Sequence, residues 1–181
     1  MEYTRSPSSE WSQHKDTKKI WYIQIVYLDY YPYLRIMFTQ LISHIENRIK
    51  YNNYSSVINL TNKERRDLAK FCLEYCIEVI GQPKKKGIPK FSIVKTDKEY
   101  YGQYNSEHEK IYVYYNQCKT IGQFISTFIH EYTHHTQNLN KYDKVLSKVG
   151  YDNHPKEIEA NNMAKLYKQP CLEAFRKSIQ Y

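Results

Sequence analysis

The feature that most constrains this chain is a run of apolar residues with helical spacing between positions 121 and 132. Its members recur at i, i+3, i+4, i+7, i+8 and i+11, namely Ile121, Phe124, Ile125, Phe128, Ile129 and Tyr132. This spacing predicts an amphipathic helix that packs one face against a core. Thr120 and Gln123 have the spacing of a capping box, so we expect the helix to begin at this point.

The same helix carries His130, Glu131 and His134 in the pattern His-Glu-x-x-His. Residues four positions apart lie one turn apart on the same helix face, so both imidazoles can reach one metal ion. Catalytic zinc sites use three protein ligands plus a water molecule. Glu131 lies beside the histidine pair and not in line with it, which places its carboxylate to accept a proton from that water. The pattern therefore predicts a catalytic Zn²⁺ site.

A third ligand is expected further along the chain. Metzincins require a glycine and a histidine where this sequence has Gln137 and Asn140, which excludes that class. Two carboxylates follow, Glu157 and Glu159, near the predicted start of another helix. Glu157 is favoured, because Asn161 follows it by one turn and can support a ligand, whereas Glu159 lies about 200° further round the helix. Either glutamate also suits the positive end of a helix without any metal.

Composition divides the chain into an arm and one domain. Residues 1–19 are rich in serine and charge without periodicity, which predicts a flexible arm. The remainder, 20–181, is expected to form a single domain, with a helical extension at 20–90 and a catalytic core at 91–181.

The extension contains one ambiguous element and two helices. The apolar segment Ile20–Tyr31 fits either a strand or a short helix, and clear helical spacing begins at Tyr33. A second helix is predicted to begin at Thr61, which has capping-box spacing to Glu64, and to end before Gly81.

Three strands and two further helices are predicted in the core. The strands are Phe91–Val94, Tyr100–Gln103 and Lys110–Tyr115, the last two forming a hairpin. Pro155 and Pro170 are interpreted as first-turn prolines of two separate helices.

The segment from Tyr100 to about Lys168 resembles the gluzincin branch of the zincin metallopeptidases, through the sequences HEYTH and EIEANNMA. It is similar to small intracellular peptidases of the ImmA/IrrE type, which have a strand pair, the His-Glu-x-x-His helix and then an E-x-E-A-N helix. The resemblance implies that His130, His134 and Glu157 bind zinc and that Glu131 is the general base.

The resemblance also implies a fold, an α+β zincin-like domain in which a small antiparallel sheet packs on the two site helices. It assigns Asn161 a supporting role beside the ligands. In zincins the strand before the active helix is typically an edge that pairs with an extended peptide. By resemblance, Lys110–Tyr115 has that role, with Tyr112, Tyr114 and Tyr115 lining a cleft or packing within the sheet.

Three further residues near the motif have alternative interpretations. SprT-like proteases, which act on protein crosslinked to DNA, use a third histidine, and His154 is the candidate for that ligand. His154 is otherwise a helix cap or a donor to the tetrahedral intermediate, and Tyr151 is a second candidate for that donor. Both are also compatible with an ordinary surface position. His135 is interpreted as a surface or supporting residue and not as a fourth ligand.

Charge and cysteine content narrow the class of protein. A formal net charge of +8 favours acidic partners, but the basic residues are spread along the chain, which favours a solvated surface over a nucleic-acid groove. Cys72 and Cys76 are spaced as small buried residues and form no zinc knuckle. The N-terminus lacks the apolar region of a signal peptide, and Ile20–Phe38 is too interrupted to span a membrane. An intracellular location is the default expectation.

These patterns favour a zinc metallopeptidase that acts on a protein or peptide substrate. Two other classes stay open at this point. One is a zincin fold that serves as a binding or structural protein, against which the intact Glu131 argues. The other is a nucleic-acid-binding module, which rests on charge alone.

Overall fold

The computed structural model of the chain describes residues 36, 39–43, 45, 51 and 55–179. Contacts between Cα atoms separate two compact units, Met1–Ile45 and Glu46–Tyr181. In the first unit every described residue is helical, as the spacing after Tyr33 predicts. The predicted arm at 1–19 and the ambiguous element at 20–31 lie outside the described residues. The proposed boundary between residues 90 and 91 stays a prediction.

The second unit is a mixture of helices and one small sheet, which confirms the α+β class. Its elements are a 3₁₀ turn (Val57–Asn59), α1 (Asn62–Val79), β1 (Lys90–Val94), β2 (Gly102–Asn105), β3 (Lys110–Tyr114), α2 (Ile121–Thr136), α3 (Tyr142–Val149) and α4 (Pro155–Ser178). All three predicted strands are present, each within two residues of its predicted start. The short helix α3 was not predicted.

The sheet has the order β1-β3-β2. β3 pairs in parallel with β1 and antiparallel with β2, so the expectation of an antiparallel sheet is wrong for one of its two pairings. The expectation that Lys110–Tyr115 forms an edge is also wrong, because β3 is the central strand and both of its sides are already paired. The segment after β1 crosses to the far side of β3. As a result β1 and β2 form the two edges of the sheet, and β2 is the edge that packs against α2.

Helix α1 begins and ends where its local sequence indicates. The Thr61 side chain accepts a hydrogen bond from the Glu64 backbone N–H, and the Glu64 carboxylate accepts one from the Thr61 N–H, which completes the capping box. At the other end Gly81 has a φ of +91°, a left-handed conformation that favours glycine and stops the helix.

Helix α2 lies in the centre of the unit. Its six apolar stripe residues are completely buried, and the Thr120 hydroxyl accepts a hydrogen bond from the Gln123 N–H at its start. Phe128 packs edge-on against Phe91 of β1, with ring centroids 5.9 Å apart. The helix also packs along α4 and against β2 and β3. The position of the site therefore follows from the burial of the stripe.

Helix α4 confirms one proline prediction and corrects the other. Pro155 occupies the first turn, as expected. Pro170 does not begin a new helix, because α4 continues through it to Ser178. An interior proline costs a helix roughly 3 kcal/mol, but Cys171, Leu172 and Phe175 just beyond it are buried in the core. Their burial outweighs the local penalty.

All four cysteines are buried free thiols, which confirms the interpretation of Cys72 and Cys76 as core residues. Cys72 and Cys171 connect α1 with α4 through an Sγ–Sγ contact of 3.9 Å. Within the described part of the chain, no helix combines the length and apolar character that a membrane span requires.

Candidate metal centre

Three side chains from two helices converge at one point. The Nε2 atoms of His130 and His134 on α2 lie 3.1 Å apart. From α4, Glu157 places Oε2 3.1 Å from the His130 Nε2 atom and Oε1 3.2 Å from the His134 Nε2 atom. The structure thus brings together the three residues that the sequence and the resemblance indicate as ligands, and they form a group able to hold a metal ion.

The separations within this group fit a tetrahedral metal site. Two ligand atoms that each lie about 2.0–2.1 Å from a tetrahedral zinc ion are about 3.3 Å apart. The two Nε2 atoms are 3.1 Å apart, and each lies close to a different oxygen of Glu157, Oε2 at 3.1 Å from His130 and Oε1 at 3.2 Å from His134. Each of these pairwise separations is near the tetrahedral value. Two imidazoles and one carboxylate are also a ligand set that zinc uses in catalytic sites.

An unsatisfied carboxylate atom supports the same interpretation. The Oε2 atom of Glu157 is buried without a hydrogen-bond partner among the described residues. Its contact with the His130 Nε2 atom is short but lacks the alignment of a hydrogen bond. Converging lone pairs on buried atoms are unfavourable unless a cation lies between them. The orphaned oxygen therefore fits a metal ligand better than a simple hydrogen-bonded pair.

The tautomer of His134 is fixed by Gln137, the residue that ends α2. The Nδ1 atom of His134 lies 2.9 Å from the Gln137 Oε1 atom. Because an amide oxygen only accepts, Nδ1 carries the proton and Nε2 keeps its lone pair for a metal. The amide is oriented in turn by its Nε2 group, which donates to the Lys156 carbonyl and to Glu159, each at 3.0 Å. This role of Gln137 was not predicted, although its i+3 spacing from His134 is the one signal in the sequence that could have indicated it.

Glu159 itself lies outside the ligand group. Its Oε2 atom accepts from Gln137 and from the Lys156 ammonium group, at 3.0 and 3.2 Å. The face argument that favoured Glu157 over Glu159 thus agrees with the geometry. Glu159 still contributes to the site indirectly, because it holds the amide that orients His134.

Glu157 has a further partner that the sequence did not indicate. The Tyr142 hydroxyl, from the unpredicted helix α3, donates a short hydrogen bond to the Glu157 Oε1 atom. Burial favours the neutral acid, but contacts with His130, His134 and Tyr142 outweigh it and hold the pKa of Glu157 well below its ordinary value. The carboxylate is therefore charged across the neutral range.

Glu131 lies next to the ligand group beneath the edge strand β2. Burial raises the pKa of its carboxyl to about 7, while His130 and His134 oppose the shift. A Cβ atom added at Gly102 of β2 would lie 2.9 Å from the Glu131 Oε1 atom and 2.6 Å from the Thr127 Cγ2 atom. Only glycine allows the β2 backbone to approach this closely.

A cleft of about 580 Å³ opens beside His130 and Glu131. The half-exposed Tyr151 lies on its wall, together with the segment that leads into β2. Partial burial raises the pKa of the Tyr151 phenol above its ordinary value, and the neighbouring Glu157 carboxylate raises it further. The phenol therefore stays protonated at neutral pH and can act as a hydrogen-bond donor at the cleft.

His154 lies apart from the ligand group and caps α4. Its Nδ1 atom accepts a hydrogen bond of 3.1 Å from the Lys156 N–H, and its Nε2 atom lies 3.3 Å from the Tyr142 carbonyl oxygen. Both ring nitrogens are occupied, and the ring is buried against Tyr142. This arrangement agrees with the helix-cap interpretation and favours neither a third ligand nor a donor to substrate.

His135 is completely buried, which excludes the surface position and leaves the alternative of a supporting residue. Its Nδ1 atom lies 3.0 Å from the Tyr104 hydroxyl, and its Nε2 atom lies 3.0 Å from the Gly87 carbonyl oxygen. The Lys86 ammonium group donates to the carbonyls of His135 and Gln137 at the end of α2, at 2.6 and 3.2 Å. These contacts anchor the end of the helix that carries the histidine pair.

Asn161 lies one turn beyond Glu157 and lines the cleft. Among the described residues, its side chain makes no hydrogen bond to His130 or His134, so the expected supporting role belongs to Gln137 and Tyr142 instead.

Comparison with known proteins finds no relative of this chain. No protein-family profile, curated protein or solved structure matches the chain. What the site can do is therefore inferred from its own residues.

Proposed function

We propose that this protein is a zinc-dependent metallopeptidase with a minimal zincin-like core and a gluzincin-type ligand set. The observation that carries the proposal is the convergence of His130, His134 and Glu157, with Glu131 beside them and a cleft in front. The proposed ligands come from two helices packed along one another, and hydrogen bonds from Gln137 and Tyr142 orient His134 and Glu157. Such support is typical of metal sites.

The proposed chemistry divides between the metal and the chain. A bound zinc ion supplies a Lewis acid that lowers the pKa of a coordinated water and polarises the substrate carbonyl. The Glu131 carboxylate accepts a proton at one oxygen and transfers it to the leaving amine. Burial raises the pKa of the Glu131 carboxyl, whereas a zinc ion bound beside it would lower that pKa and favour the ionised form that accepts the proton.

The edge strand supplies a binding surface for an extended peptide. β2 pairs on one side with β3, and its other side has no strand partner within the described residues. The chain entering β2, at Tyr100, Tyr101 and Gly102, lines the cleft next to Glu131. A peptide that added to this edge would pass in front of the ligand group. In this proposal Tyr151, which lines the same cleft, donates to the developing oxyanion.

The experiment that tests the function compares the wild type with Glu131→Gln. After purification in zinc-containing buffer, both proteins are assayed for bound metal and for hydrolysis of a quenched fluorescent peptide mixture. We expect about one equivalent of zinc in both proteins and a fall in hydrolysis of at least about a hundredfold in the variant. Equal hydrolysis by the two proteins would contradict the proposed role of Glu131.

A further inference from the structure

The cleft has a charged end that the chemistry of the metal centre does not use. Beyond Asn161, the wall formed by α4 continues with Lys165 and Lys168. Positions 157, 161, 165 and 168 recur at intervals of four and three, so they follow one face of the helix. One face of α4 thus leads from the ligand Glu157 directly to two lysines.

The charge around these lysines is unbalanced. Among the described residues neither Lys165 nor Lys168 forms an ion pair. The cleft lining includes a single carboxylate, that of Glu131, and this side chain is buried. Two ammonium groups one turn apart repel each other, and an anion bound between them relieves that repulsion.

The distance from the metal ligands sets where such an anion lies on a peptide. With a rise of about 1.5 Å per residue, Lys165 and Lys168 lie about 12 and 16 Å from Glu157 along the helix axis. An extended peptide rises about 3.3 Å per residue, so this corresponds to roughly four to five residues.

We propose that Lys165 and Lys168 form a specificity subsite for acidic side chains of a peptide substrate, about four to five residues from the bond that is cleaved. The inference rests on the proposed function for the identity of the ligand as a peptide. A peptide is favoured over nucleic acid because the lysines share their cleft with the edge-strand segment and with Glu131. Bound there, an aspartate or glutamate pairs with both ammonium groups.

Binding is measured separately from hydrolysis. Fluorescence anisotropy follows a labelled extended peptide that carries glutamates at its ends, and an isosteric peptide with glutamines in their place. The protein is the full chain as Glu131→Gln, so that the peptide stays intact. We expect the acidic peptide to bind about tenfold more tightly than the neutral one at low ionic strength.

Reversing the charge of the two lysines tests whether they cause the preference for the acidic peptide. Lys165→Glu combined with Lys168→Glu is expected to abolish the preference and to favour a matching lysine peptide. The control, Lys84→Glu with Lys85→Glu, changes the net charge equally at exposed positions outside the cleft and is expected to keep the preference. The same charge reversals are also made with Glu131 intact. In these proteins we expect the rates of hydrolysis of the acidic and neutral peptides to show the same preferences as the binding.

The outcomes separate this inference from the proposed function. Equal binding of the acidic and neutral peptides, or an equal effect of the two charge reversals, would overturn the subsite. The assignment of a peptide as the ligand would be overturned if single-stranded DNA displaced the acidic peptide and bound more tightly than the peptide. Failure of the wild type to hydrolyse any peptide, with the acidic preference intact, would overturn the proposed function and leave the anionic subsite standing.

Discussion

At the scale of single residues, the three proposed ligands are accompanied by side chains that orient them, Gln137 and Tyr142. Spacing alone predicted His130, Glu131 and His134, because four positions on a helix fix a common face. Glu157 followed from the same geometry and from resemblance. Gln137 and Tyr142 were not predicted, since their roles depend on how α3 and α4 return to the end of α2.

The orienting role of Gln137 leads to the first prediction. Gln137→Ala removes the acceptor for the His134 Nδ1 proton, so both tautomer and ring orientation become less restricted. We expect zinc affinity to fall about tenfold to hundredfold, measured by competition with a chelator of known affinity. The control is Asn140→Ala, which removes an exposed amide that is not in contact with the ligand group. Unchanged affinity in Gln137→Ala would show that its amide does not support the metal.

Gly102 provides a second test at this scale. In Gly102→Ala the new Cβ atom meets Thr127 and Glu131 at distances below 3.0 Å, so the Glu131 carboxylate must move. We expect kcat to fall about tenfold to hundredfold with zinc content unchanged. Gly87→Ala is the matched control, because its Cβ atom would meet Glu109 at an ordinary 3.6 Å. Full activity in Gly102→Ala would contradict a fixed position for the base.

At the scale of elements, local sequence signals located the helices and strands but not their pairing. The capping box of α1, the Thr120 cap of α2 and the apolar stripe of α2 placed the helix starts correctly, because these interactions lie within a few residues. The expected box at Thr120 is only half formed, because the Gln123 side chain accepts from the Lys119 N–H and not from the Thr120 N–H. The parallel pairing of β1 with β3 and the passage of α4 through Pro170 depend on contacts far apart in the sequence. For that reason the edge strand was assigned to β3 and one helix was divided into two.

The buried guanidinium group of Arg65 connects α1 with the 3₁₀ turn that precedes it. Its guanidinium donates to the backbone carbonyls of Val57 and Leu60, and it lies 4.1 Å from the centre of the Tyr115 ring. Arg65→Ala removes the guanidinium donor of the Leu60 carbonyl and one of the two donors of the Val57 carbonyl, which keeps the Leu60 N–H. We expect the free energy of unfolding to fall by about 2–4 kcal/mol. The exposed neighbour Arg66→Ala should change it by no more than about 0.5 kcal/mol. Urea denaturation measures both, and equal effects would contradict the role of Arg65.

At the scale of the whole molecule, the site lies where a buried helix meets an edge strand and a long second helix. The core seals α2 on its apolar side and leaves His130 and Glu131 facing the cleft. Sequence patterns could predict the α+β class and the site helices. The strand order that brings the start of β2 to the cleft could not be predicted from the sequence, because periodicity does not specify strand order.

The reactivity of the buried cysteine thiols tests how well the core is closed to solvent. Burial raises the pKa of Cys118 to about 12, so its reactive thiolate is scarce at any pH below that value. We therefore expect native Cys118 to resist an aromatic disulfide reagent between pH 7 and 9, as shown by mass spectrometry after labelling. In denaturant all four cysteines should react, since the thiol pKa returns to about 8.5. Rapid labelling of native Cys118 would contradict a closed core at this position.

The central claim is that His130, His134 and Glu157 bind zinc together. X-ray absorption at the zinc edge of the metal-loaded protein measures the ligand atoms directly. We predict nitrogen and oxygen ligands at about 2.0–2.1 Å, with two imidazoles in the wild type and one in His134→Ala. Sulfur ligands at about 2.3 Å, or an unchanged imidazole count in the variant, would contradict it.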